Sequence, residues 1–200
     1  MSNTSATGGP LLPSGIAPLY GAALEDFFQG ILVNLTGLTA SLVRPQWQSN
    51  PPTQPAPSVD WLAFGVTTQD ETDYPAIVHS SAGQGSDTMI YYEQVKVPVS
   101  LYGPNCAANI ALLRANLYVP QNREPLQLQG MALVDMGNPV RLAEQVNNQW
   151  IDRYDATIRF TRELNRSYAV LNLESAAGTV GADGSPANPS NPFTVNFTAG

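Results

Sequence analysis

Apolar and polar side chains alternate from Asn148 to Glu163. Trp150, Tyr154, Ala156, Ile158 and Phe160 share one parity, while Arg153, Asp155, Thr157, Arg159 and Thr161 share the other. This period of two predicts a strand with one face in a core and a charged face turned to water or to another protein. A second long alternation runs from Thr88 to Tyr102, with Met89, Tyr91, Val95, Val97, Val99 and Leu101 on one side. It is roughly three times the modal strand length. Pro98 lies on the opposite parity and places that part of the strand at a sheet edge or a bulge, because proline cannot donate to a ladder. A long edge strand calls for a covering partner, so this segment points to obligate assembly. Shorter strands are predicted at 59–66, 76–79, 131–136, 140–146 and 168–173. Gly137, Asn138 and Pro139 form a turn, 67–73 a polar turn and 80–87 a loop.

The three-four spacing of Leu24, Phe27, Phe28, Ile31, Leu35 and Leu38 predicts an amphipathic helix from Ala22, ending at Gly37. Glu25 and Asp26 are placed in its first turn, where the helix dipole favours acids. Gly30 weakens such a helix by roughly 1 kcal/mol relative to alanine, a cost that close packing against a neighbour would justify. A second helix opens at Pro104, buries Cys106, Ile110, Leu113 and Leu117, and stops before Pro120. A short helix over 124–129 ends at Gly130.

The two ends read differently from the middle. Residues 1–20 form an extended arm, with Pro10, Pro13 and Pro18 preventing a helix. Residues 176–200 are mostly Gly, Ala, Ser, Asn and Pro, and offer little apolar surface against an ordering cost of about 1–2 kcal/mol per residue. Within them Phe193, Val195 and Phe197 alternate as in a short strand able to pair with another subunit. Both arms are therefore expected to depend on another chain for order. Between them, 21–175 forms a single domain. The four prolines between Asn50 and Pro57 make a stiff segment, either a linker or a loop reaching a partner.

Composition narrows the chemistry. The charged fraction of 12% is about half the usual share of roughly 25%. Nine basic against sixteen acidic residues give a formal charge of −7, which argues against a surface that grips DNA. It leaves room for a protein past which DNA slides. No run approaches the ~20 apolar residues of a membrane span, and the N-terminus lacks the basic and apolar regions of a signal peptide. With one cysteine, the expectation is a soluble protein made in a reducing cytoplasm. His79 stands alone beside a Gly-Ser loop, and Cys106 on an apolar stripe reads as an inert thiol. Asp70, Glu71 and Asp73 cluster in a turn without the ligand spacing of a calcium loop. No phosphate, dinucleotide, zinc or nucleophile-elbow motif occurs. The chain reads as a non-enzyme without metal or cofactor. Trp47, Trp61 and Trp150 raise a carbohydrate- or peptide-binding module, but their positions predict core packing instead.

The order of certain segments resembles a known family. These are the helix ending Ile31-Leu-Val-Asn-Leu-Thr-Gly-Leu38, the tract Leu42-Val-Arg-Pro-Gln-Trp-Gln48 and the strand Asp60-Trp-Leu-Ala-Phe-Gly65. The late block Val146-Asn-Asn-Gln-Trp-Ile-Asp-Arg-Tyr-Asp155 with Arg159-Phe-Thr-Arg-Glu163 follows. Over residues 22–175 the chain is similar to the neck terminator, or tail terminator, proteins of tailed bacteriophages. That resemblance implies an α+β fold, a curved and mainly antiparallel sheet with two or three helices on one face. It also implies a virion protein of the head–tail junction, a six-membered ring that caps the tail tube and lets DNA pass. The implied partners are tail tube and sheath proteins, head connector proteins and the passing DNA, with no membrane. A head-completion protein on the portal side of the joint is the alternative. In a ring, Arg153, Asp155, Arg159 and Arg162 are candidates for a subunit interface or the lumen. Acids among Asp70, Glu71, Asp73, Asp152 and Asp155 are expected to line the lumen. Phe193, Val195 and Phe197 are expected to anchor on a neighbour.

Overall fold

The computed structural model describes residues 3–15, 17–146 and 148–173. The chain divides into two compact units. The larger contains 17–76 and 90–165, and the smaller contains 3–15, 77–89 and 166–173. Helix α1 spans Gly21–Thr36, α2 Cys106–Leu117 and α3 Glu124–Gln127. The strands are β1 (Val43–Pro45), β2 (Trp61–Phe64), β3 (Thr68–Glu71), β4 (Ala76–Ser80), β5 (Ser86–Tyr102), β6 (Met131–Met136), β7 (Val140–Val146) and β8 (Gln149–Tyr168). The fold is α+β with an open, mostly antiparallel sheet; β1 and β2 are its parallel pair.

In the larger unit the strand order is β1-β2-β5-β8-β6. The sheet is organised by its two longest strands. Glu93 meets Arg162, and the Gly103 N–H donates to Asp152 O at 3.4 Å, so numbers rise on β5 as they fall on β8 and the pair is antiparallel. β2 and β3 succeed one another along the other edge of β5. β6 and β7 succeed one another along the other edge of β8. Short strands tile long ones because each long strand outlasts any single partner.

This topology corrects the edge reading of β5, which is a central strand. Pro98 is tolerated because it faces the place where β2 has ended and β3 has not begun. Gly65 N–H donates to Pro98 O at 3.2 Å there, and Thr67 N–H to Lys96 O at 3.0 Å. No ladder bond to the missing proline N–H is required at that gap. Paired on both sides, β5 calls for no covering partner, and obligate assembly does not follow from it. Segment 67–73, expected as a turn, contains β3 instead, since backbone pairing to β5 needs no apolar side chain.

The core lies between one face of the sheet and the helices. Leu24, Phe28, Ile31, Leu32 and Leu35 of α1 join Cys106, Ile110, Leu113 and Leu117 of α2. Opposite them stand Leu62, Phe64, Val95, Val97, Val99, Leu101, Ile158 and Phe160. Phe28 and Phe160 touch ring to ring at 5.1 Å. The α2 stripe matches the expected spacing residue for residue. Asn116 Nδ2 donates to Leu35 O at 2.8 Å and ties α2 to α1. Gly37 ends α1 in the left-handed region at φ 72°, its N–H donating to Val33 O at 2.9 Å, as a glycine after a helix does. Helix α1 begins at Gly21, so its first turn holds no acid; Glu25 and Asp26 come later. A methyl group at Gly30 would meet nothing within 4 Å, so close packing does not account for that glycine.

The smaller unit contains β4, the start of β5 and the end of β8. β4 pairs with β5. Ser14 N–H donates to Ser167 O at 2.8 Å and Ser5 N–H to Ala169 O at 3.1 Å. The segment expected as an arm needing another chain is thus held, over 3–15, by residues of its own chain. Backbone hydrogen bonds supply what its side chains lack. Residues 169–173 form no separate strand; β8 simply runs on to Tyr168.

Candidate functional site

The sheet face opposite the helices carries Arg153, Asp155 and Arg159 of β8, and both arginines are met by carboxylates. Asp135 of β6 stands in register with Arg159, which donates through Nε at 2.6 Å and through Nη2 to the second carboxylate oxygen. These hydrogen bonds hold the Asp135 carboxyl below its ordinary range. Arg153 donates through Nη1 to Glu144 of β7 and through Nη2 to Asp155, both at 2.9 Å. On the opposite parity, that of Trp150 and Tyr154, Arg141 of β7 grips Asp152 at 2.7 Å and 3.2 Å. The charged face is thus a set of cross-strand pairs in which neither sign dominates. Arg153 Nε and Asp155 Oδ1 are buried without a hydrogen-bond partner among the described residues.

Arg162 requires a correction. It is 2% exposed and meets Glu93, itself 0% exposed. Its parity is that of Ile158 and Phe160, the core face, so it cannot serve as a surface or lumen residue of the subunit. Its Nη1 donates to Leu19 O at 2.8 Å, and its guanidinium lies 4.7 Å from the Tyr20 ring centre. The pair fastens the chain entering α1 to the middle of β5 and β8. A buried cation is tolerated only with a partner this close. Glu93 occupies a buried position on β5 whose neighbours Val95 and Val97 are apolar, and this exception was the overlooked signal.

The acidic cluster stands apart from the charged face of β8. Asp70 on β3 lies 3.7 Å from Lys96 of β5, and Asp73 is exposed in the turn that follows. The Glu71 side chain lies outside the described residues, as do Phe193, Val195 and Phe197. Among the described residues no group of three or more His, Cys, Asp and Glu could hold a metal ion.

The aromatic residues form a feature that the alternation alone did not reveal. Trp61 of β2 and Tyr102 of β5 are register partners and stack at 4.2 Å with planes 6° apart. Arg44 lies over Trp61 at 5.9 Å and Arg153 over Tyr102 at 5.7 Å. A cation–aromatic–aromatic–cation ladder therefore crosses β1, β2, β5 and β8. Burial pushes the Tyr102 hydroxyl up, and the adjacent Arg153 opposes that. Arg44 is held in turn by Ser41 O and Thr53 O, each at 2.8 Å, which fixes the proline-rich loop beside the ladder. Trp47 and Trp150, expected in the core, are 70% and 71% exposed. Trp47 has φ 58° and packs against Gly65, where an added Cβ would come within 2.5 Å of the indole. Trp150 belongs to the β7–β8 hairpin, where each strand pairs with the other and the helices supply no cover.

Cys106 is buried on α2, and burial pushes its thiol pKa up, the environment of an unreactive thiol. No helix among the described residues is long and apolar enough to cross a membrane. No curated protein matches the chain in sequence. The family model for the phage neck terminator protein matches residues 22–185, most of the chain and all of the larger unit's charged face. The chain belongs to the phage neck terminator family.

Proposed function

We propose that this structural protein of the phage neck works as a subunit of a closed ring, six-membered by expectation, that ends the tail tube and joins it to the head connector. Membership of the neck terminator family carries this reading. Ring closure needs two different surfaces on each subunit. An open sheet with β1 at one edge and β6 with β7 at the other offers two unlike edges. The exposed Trp150, Val140 and Leu142 of the hairpin add apolar area beside one of them, and Arg153 Nε and Asp155 Oδ1, without a hydrogen-bond partner among the described residues, leave polar capacity for a neighbour. In this arrangement Arg153, Asp155 and Arg159 lie at subunit contacts, and Asp70, Glu71 and Asp73 turn toward a channel through which DNA passes without being gripped. Tube, sheath and connector proteins are the neighbouring rings. Phe193, Val195 and Phe197 anchor the C-terminal segment on an adjacent subunit.

Native mass spectrometry of the full chain, alone and bound to tails, tests the ring. A six-fold mass on tails is expected. A protein that stays monomeric and holds no ring position in particles overturns it. Deleting residues 186–200 is expected to leave the melting temperature unchanged while weakening attachment to tails; unaltered attachment would remove the anchoring role.

A further inference from the structure

The smaller unit contains a hydrogen-bonded cluster that none of the preceding uses. His79 of β4 places Nδ1 2.6 Å from Asp87 Oδ1 and Nε2 3.0 Å from Asn172 Oδ1. Asn172 is itself bound on every side. Its Nδ2 donates to Ser81 O at 3.1 Å and Gly83 O at 3.2 Å, and its backbone N–H to Gln84 O at 2.9 Å. With both amide hydrogens aimed at carbonyls, the oxygen must be the atom facing the imidazole. Asp87 offers His79 a carboxylate, which accepts. Both ring nitrogens must therefore donate, and only the doubly protonated imidazolium can do so. The loop is shaped for the same contact. Gly85 sits at φ 94°, and a Cβ there would come within 2.5 Å of Asn172 Oδ1 and 2.8 Å of Val170 O.

We propose that His79 is a proton-operated latch that holds segment 170–172 against the β4–β5 loop. Asp87 is the charged group that faces the ring. The unit's other titratable side chains among the described residues are Arg166 and Tyr168 at the end of β8, and Glu174 follows two positions after Asn172. The hydrogen bonds to Asp87 and then Asn172 raise the His79 pKa above 6.5 against a smaller opposing effect of burial. A raised pKa in the latched state means that latching is fully favoured below 6.5 and fades as pH climbs through the latched value. The latch does not depend on the ring reading, because it acts within one chain.

His79 is the sole histidine, so its nuclear magnetic resonance titration in the full chain is unambiguous. The expected result is a pKa above 6.5 with protons on both ring nitrogens below it, lowered by Asp87→Asn and by Asn172→Ala and retained in Glu174→Gln. Hydrogen exchange of the Asn172 backbone N–H, corrected for the intrinsic pH dependence, reads the latch itself. Protection should fall as pH rises through the measured pKa, about tenfold for each unit that value stands above 6.5. In His79→Ala it should be low at every pH, while the amides of α1 and central β5 stay protected and report an intact fold. A pKa at or below 6.5, or equal Asn172 protection on both sides of it, overturns the proposal.

Discussion

Arg159 and Arg162 lie three residues apart on β8, and each meets a carboxylate on a neighbouring strand. Arg159 points to the open face and pairs with Asp135 in register; Arg162 points into the core and pairs with Glu93. The chemistry of the two pairs is the same, and the surroundings differ completely. Water solvates either partner of the outer pair if the other is lost, so that pair contributes orientation more than stability. In the core, solvent is not at hand to take a lost partner's place. The same strand thus carries one ion pair suited to a surface and one on which the subunit's own fold depends.

The largest effect is expected where that dependence is broken. Arg162→Met alone removes the guanidinium that neutralises the buried Glu93 and should cost about 3–5 kcal/mol in urea denaturation of the full chain. Adding Glu93→Leu should recover most of the loss, because a packed apolar pair replaces a charge pair at little cost. A double variant as unstable as the single one would mean that the anchor to Leu19 and Tyr20 matters more than charge balance.

The two halves of β8 extend the comparison to apolar residues. Phe160 is 1% exposed beneath α1, and Phe160→Ala should cost about 3–5 kcal/mol. Trp150→Ala, on the uncovered hairpin, should shift stability by no more than about 0.5 kcal/mol. Equal losses would indicate that the hairpin is covered within the isolated subunit. On the helical layer, Gly30→Ala meets open space and should stabilise by about 1 kcal/mol, read as a rise in the denaturation midpoint. A fall would expose a contact at that position.

The smallest effect belongs to the outer pair. Asp135→Asn should leave the neutral-pH midpoint almost unmoved. The folded Asp135 pKa is lowered from 3.8 by Arg159. The contribution of the pair is present above that value and disappears as pH falls through the lower folded one. Stability curves of the two proteins should therefore converge in strong acid. A gap that persists there would show that Asp135 acts through something other than its charge.

Hydrophobic periodicity made most of the larger unit legible. The α2 stripe, the strands at 131–136 and 140–146 and the buried parity of β5 stand where the spacing placed them, because alternation and three-four spacing are direct consequences of backbone geometry. Strand β3 was not legible, since it is recruited by a neighbour's unpaired backbone and has no apolar signature. The exposure of Trp150 was not legible either. Parity tells which side of a strand a residue occupies, and it is silent on whether anything lies there to cover it. The charged face on Arg153, Asp155 and Arg159 could be read as a face; its neutrality could not, because Asp135 and Glu144 come from β6 and β7 and their register is set by pairing.

The amino-acid sequence by itself determined the element types, the side of each strand that meets the core and the family resemblance, all of which depend on residues near one another along the chain. The tertiary structure alone decided that β5 is central, that Glu93 and Arg162 neutralise each other across 69 residues of sequence, and that Trp61 stacks on Tyr102. It also decided that residues 3–15 bind back onto 167–171. Each of these rests on contacts between distant segments, and such contacts exist only once strand order and register have closed the intervening loops.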